Sequence, residues 1–345
     1  MGRSRKVGTV RGVAWMVVLS LVGQAALGRE AKLAIHPQKM SAESGNYSLL
    51  PPPASLTEGD AVPLYDKAIQ ALPGKASDDQ VRQYLKMPVD QLPGDQVQQT
   101  LKPYIESFKC AAQAVKCRQC NWPAWTPETA VAKVNEYRRL AFAIRLWTRL
   151  EIAQGECEGA MLPIQTGLGI ARHMGQAPTL IQLQMAVATA NSIGGEIEQL
   201  VQKEDSPNLY PSLAHLPKPF VDVEKAIEAE RQATFSRFSG TFASKEQLES
   251  QMKPAHDRTR ALAKKLDSDL AMLQCVEAIR SYAASPGGQL PETLAEIKEV
   301  SIPNDPMSSA AFRYTRTGAT AVLESTVPAG GEKRDELRYE IAVKK

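Results

Sequence analysis

The 345-residue chain is 43% hydrophobic and 23% charged, which supplies a core for one large or two ordinary domains and excludes wholesale disorder. Its net charge of +3 comes from 41 basic and 38 acidic residues. Four of the basic residues lie in the first 28, so the remainder holds 37 basic against 38 acidic, a charge of −1 that gives no electrostatic case for nucleic acid. Only 6% of the residues are aromatic, which suits helices packed through Ala and Leu.

Residues 1–28 read as a signal peptide. Arg3, Arg5, Lys6 and Arg11 form a basic region, Val13 to Leu27 an apolar one, and Ala26-Leu27-Gly28 a small-x-small cleavage site. The apolar run is short of the ~20 residues a spanning helix needs. The expectation is therefore cleavage and export, to the periplasm or the exterior, with no stable membrane span afterwards. The alternative is an uncleaved N-terminal helix that anchors the chain.

Residues 29–56, with Pro51-Pro52-Pro53, read as an extended or flexible lead-in. A helical domain is expected over 57–284. Its helices are Thr57 to Leu72, Ser77 to Met87, and Asp95 to Val115. The central hairpin follows, from Val131 to Gly175. Apolar residues recur at Val134, Tyr137, Ala141, Ile144, Trp147 and Leu150, which is helical spacing. Thr126 caps this helix, Pro127 takes its first position, and Gly155 breaks it from the next. Further helices run from Pro178 to about Val201, split at Gly194-Gly195, from Val221 to Phe238, and from Ser244 to Ala284. After Ser285-Pro286-Gly287-Gly288 the character changes to short β-like runs near 300–302, 312–315, 319–324 and 337–343. The fold class is mainly α: an array of antiparallel helical hairpins with a small, semi-independent α+β segment at 285–345.

The turn Gly155-x-Cys157-x-x-Ala160, followed by Ile164, Gly167 and Leu168, resembles the turn and second helix of a tetratricopeptide repeat. Thr148 stands where that repeat prefers Gly, and no second copy follows, so the resemblance implies a packing geometry only. A broader resemblance is to a family of uncharacterised exported helical proteins of planctomycete-type bacteria. It rests on Cys120-Asn121-Trp122 before a helical hairpin and on the pattern from Leu290 to Gly318. It implies no activity. The same C-terminal steps resemble the sheet of type II secretion pseudopilins, but there the apolar helix follows the cleaved Gly, whereas here it precedes Gly28.

No phosphate loop, dinucleotide fingerprint, nucleophile elbow or zinc-protease helix is present, and no cofactor is expected. Arg138, Arg145 and Arg149 share one face of the central helix. They would suit a carboxylate or acidic peptide, or form an ion-paired face. Trp122 and Trp125 flank Pro123. Exposed, they would anchor a partner; as a plug over helix ends they would be core. His173, beside Arg172 in a last helical turn, reads as structural. Asn304-Asp305-Pro306 reads as a turn cap rather than a calcium ligand set. Cys110, Cys117 and Cys120 are expected to contain one disulfide and no zinc. On one continuous helix Cys110 and Cys117 would lie about 10.5 Å apart, so either the helix ends early or Cys120 is a partner. Cys157 and Cys275 are expected to be unpaired. The function expected is a non-enzymatic binding or scaffold module for a protein or peptide of the cell envelope. The alternative is an envelope enzyme, such as a hydrolase, whose site is not visible as a motif.

Overall fold

The computed structural model describes residues 29–41, 43–238, 245–327 and 336–344. The signal-peptide reading concerns residues 1–28, outside the described residues. Among the described residues, no helix is long and apolar enough to cross a membrane.

The lead-in begins as an extended strand. Arg29–Ile35 forms β1, which buries Leu33 and Ile35. Two corrections follow in the next segment. Thr57 to Leu72 is not one helix: Thr57–Asp60 is β2, and α1 spans Val62–Gln70. Gly59, at φ 134°, lies inside β2 where its register with β3 shifts, and the Asp60 carboxylate accepts the Val62 N–H at 3.1 Å at the start of α1. After α2 (Ala76–Leu85), the run from Asp95 to Val115 divides into α3 (Gly94–Leu101) and α4 (Ile105–Ala114), joined by a 3₁₀ turn containing Pro103. Proline cannot donate the helical hydrogen bond there. Cys117–Gln119 is β3, paired in parallel with β2.

The central hairpin forms as its periodicity predicts. In α5 (Pro127–Gln154), Thr126 and Thr129 form a reciprocal cap, and Gly155 ends the helix in the left-handed region at φ 80°. It is followed by α6 (Met161–Met174) and α7 (Leu180–Leu200). Glycines in α6 let its neighbours approach closely. A Cβ on Gly169 would meet the Val115 Cβ at 2.6 Å, and one on Gly167 the Ile193 Cγ1 at 2.6 Å. Gly194-Gly195 does not split α7, and a Cβ on Gly194 meets nothing within 4 Å. Gly169→Ala should therefore cost about 1–3 kcal/mol through overpacking. Gly194→Ala should be neutral or stabilising by up to ~1 kcal/mol, because it removes only the helix penalty of glycine. Urea midpoints of the two variants check this, and equal midpoints would refute the packing at Gly169.

After α8 (Tyr210–Ala214) come α9 (Val223–Phe238) and α10 (Lys245–Ala283). Helix α10 runs through Pro254 and, at 39 residues, is roughly 58 Å long. Its two halves differ. Every residue from Ala271 to Ser281 is buried, whereas between 246 and 262 only Leu248, His256 and Thr259 are. That outer half packs with α9 as a two-helix arm.

The C-terminal strands are β4 (Arg313–Thr317), β5 (Thr320–Glu324) and β6 (Leu337–Val343); residues 300–302 form no strand. They build one sheet in the order β1-β6-β5-β4, with β1 parallel to β6 from Arg29↔Leu337 to Ile35↔Val343. The period-2 pattern turns Leu33, Ile35, Ala321, Leu323, Leu337, Tyr339 and Ile341 inward. Glu30, Arg338 and Glu324 form a row of ion pairs on the other face. The C-terminal segment is thus not semi-independent: its sheet takes an edge strand from the other side of the helical domain, and both regions share one hydrophobic core.

Candidate functional site

Trp122 and Trp125 are core. Both are buried, and Trp122 stacks on Tyr65 of α1 at 5.3 Å with an interplanar angle of 11°. Its Nε1–H donates to the His173 carbonyl at 2.8 Å. Tyr137 of α5 lies edge-on to Trp122 and tilted against Trp125. These residues pack between the first turn of α1, the body of α5 and the last turn of α6, and their burial removes them as partner anchors.

His173 completes this box, with Nδ1 2.9 Å from the Tyr65 hydroxyl. Burial pushes its pKa down to about 4, against the pull of a backbone hydrogen bond at Cys117. The ring is therefore neutral at pH 7, and its role is structural without the positive charge that a helix C-terminus favours. Desolvation outweighs the dipole here. At the rim, Asp60 accepts the Asn121 N–H at 3.0 Å and its side-chain amide at 3.3 Å. Burial alone would raise the Asp60 carboxyl, but these donors and the Val62 N–H hold it below its ordinary value. Cys120 is half-buried, and burial, then Asp60 and Cys117, push its thiol up. A protonated thiol is a poor nucleophile.

The expected disulfide is absent: all five cysteines are free. Strand β3 gives the reason. Its extended backbone separates the Cα atoms of Cys117 and Cys120 by about 10 Å, beyond the ~7 Å a bridge allows. Cys110 turns its sulfur back to Glu106 Oε1 at 3.8 Å, and Cys117 turns its own to the Gln113 carbonyl at 3.9 Å. Cys157 and Cys275 are buried and unbridged.

The arginine face is ion-paired rather than open to an anion. Glu196 of α7, fully buried, receives Arg145 Nε at 2.6 Å and Arg149 Nη1 at 3.3 Å. Arg149 also donates to the Met87 carbonyl. Arg138 is half-buried and likewise engaged. Its neighbour Arg139, which helical spacing did not single out, pairs with buried Asp78 at 2.6 Å. Asp305 is a cap whose carboxylate is saturated by donors: Ser268 Oγ at 2.7 Å, Met307 N–H at 2.8 Å and Thr326 N–H at 2.7 Å. Hydrogens aimed at both oxygens are the opposite of a calcium shell.

Sequence reasoning missed four polar residues, of which Arg280, Glu277 and Glu230 are buried and Asp267 is partly so. Arg280 and Glu277 form a fully buried pair on α10. A Glu-x-x-Arg step inside the apolar run from Leu270 to Ala283 was a readable signal of it. Asp267 accepts the Phe220 N–H at 2.8 Å while Arg172 donates to the Phe220 carbonyl; burial raises Asp267 to about 6. Glu230 of α9 accepts the Leu180 N–H at 2.5 Å. Neither carboxylate stands out in a helix rich in charge. Among the described residues, no group of three or more His, Cys, Asp or Glu is placed to hold a metal ion. Comparison with protein-family models, with curated proteins and with solved structures finds no match to this chain.

Proposed function

We propose that the chain is an exported binding or scaffold module that engages a protein or peptide of the cell envelope without catalysing a reaction. One observation carries this reading: the tryptophans, Arg145, Arg149 and Asp305 hold the fold together, while the α9–α10 arm presents two exposed helical faces. A helical pair of this kind offers a groove for an extended or helical partner. Membership of the exported helical family that Cys120-Asn121-Trp122 and the 290–318 pattern resemble belongs to the same proposal.

The test is site-specific photo-crosslinking in cells that make the protein. A crosslinker at exposed Gln251 or Lys264 on the arm should capture one discrete species that a crosslinker at exposed Glu299 does not. The chain itself, recovered from those cells, should begin at Arg29 if the leader is removed. Turnover of an ester, phosphate or peptide substrate by the purified chain, lost on substitution of His173 or Asp60, would overturn the reading in favour of an envelope hydrolase.

A further inference from the structure

Glu230 faces α7 from the inner side of α9 and is 8% exposed. The N–H it accepts belongs to Leu180, the first residue of α7, one of the amides a helix leaves without an internal partner. Thr179, the cap of α7, serves a different amide, the Gln182 N–H at 3.4 Å. The first turn of α7 is therefore completed by the arm. Next to it, Gln184 of α7 donates to Thr259 of α10 at 3.2 Å.

The charged groups of the arm engage one another. Arg260 pairs with Glu224 at 2.6 Å and Asp257 at 3.1 Å, and Arg231 pairs with Glu249 at 2.6 Å. Buried His256 lies in the field of Arg260, Arg231, Asp257 and Glu224. Glu230 is buried, and among the described residues the Leu180 N–H is the donor it accepts, with none of these charged groups paired to it. A carboxyl in that position is a good acceptor when neutral and an unpaired buried charge when ionised.

We propose that Glu230 makes the seating of the arm on α7 respond to pH: α9 is held while the carboxyl carries its proton, and it loosens as the carboxyl ionises. Burial pushes this group from 4.5 up to about 7, opposed by the Leu180 N–H. The seated arm keeps the proton to about pH 7, whereas a detached arm releases it near 4.5, so seating takes up a proton. Seating is complete at or below pH 4.5 and weakens as pH rises through 7. His256 has the opposite sign. Burial, then Arg260 and Arg231, lower its pKa, so its contribution is present above 6.5 and lost as pH falls. Asp267 of α10, which accepts the Phe220 N–H ahead of α9 and which burial raises to about 6, has the same sign as Glu230, so the Glu230→Gln variant is what separates the two on the alkaline side.

The test is amide hydrogen exchange of the full chain, corrected for intrinsic rates. In the wild type, protection of peptides covering residues 180–184 and 223–235 should fall about tenfold between pH 6 and 8. Glu230→Gln keeps the acceptor without the titration and should hold protection constant across that range. A Glu230→Gln profile that follows the wild type would overturn the proposal. If the variant fails to fold, carbon-13 titration of the Glu230 carboxyl in the wild type decides: a midpoint near 7 supports the proposal, and one near 4.5 refutes it.

Discussion

Arg280→Met should destabilise the protein by about 3–5 kcal/mol at neutral pH, because it strands a buried carboxylate. Arg280 and Glu277 are both fully buried, joined by two hydrogen bonds of 2.9 Å. The other guanidinium donors reach the His36 carbonyl at 3.1 Å, the Pro207 carbonyl at 3.4 Å, and the Ser206 carbonyl and hydroxyl at 3.2 and 2.8 Å. One side chain thus ties α10 to the segment after β1 and to the turn before α8. Burial already raises Glu277 above its ordinary value, with Arg280 the first opposing influence. Removing Arg280 raises it further. A raised carboxyl pKa means that the penalty vanishes below about 4.5, where the unfolded chain is also protonated, and grows as pH rises. The deficit should therefore be smaller at pH 5 than at pH 8, and Arg280→Met with Glu277→Gln should recover most of it. Urea unfolding at both pH values checks this. A deficit equal at both would assign the loss to the hydrogen bonds with His36, Pro207 and Ser206 instead.

Deleting residues 285–345 should abolish the single cooperative melting transition while leaving part of the helical circular dichroism. The deletion removes β6, the partner of β1, and exposes Leu33 and Ile35. It also removes Asp305 from Ser268, and the Tyr339 hydroxyl that donates to Glu198 of α7 at 2.6 Å. Helices α7 and α10 would each lose a buried partner, and unpaired polar groups in a core are costly. The expected product has native-like helix content, a broad transition and dye-accessible apolar surface, as in a collapsed state without fixed packing. A truncated chain that melts as sharply as the full one would show that the composition change at Ser285 is a true domain edge.

Much of the helical framework was legible in the sequence. Periodicity and caps are local, so Thr126, Pro127 and Gly155 mark the limits of α5 whatever lies around them. The strand pattern of β5 and β6 is equally local, because alternation needs only one buried face. Errors arose where a partner distant in sequence decides the outcome. Residues 29–35 look like a lead-in until β6, some three hundred residues later, supplies hydrogen bonds. Thr57 to Asp60 has helical neighbours but pairs with Cys117 to Gln119.

The candidate site shows the same division. Spacing put Arg145 and Arg149 on one face of α5, but only the fold brought Glu196 to neutralise them. Residue type marked Trp122 and His173, but only burial between α1, α5 and α6 made one a plug and the other a neutral ring. Local sequence determined which segments are helical and which face of each is apolar, since both follow from neighbours within one turn. Tertiary structure alone decided which charges are buried and paired, because desolvation and Coulomb attraction depend on distances that the order of residues along the chain does not contain.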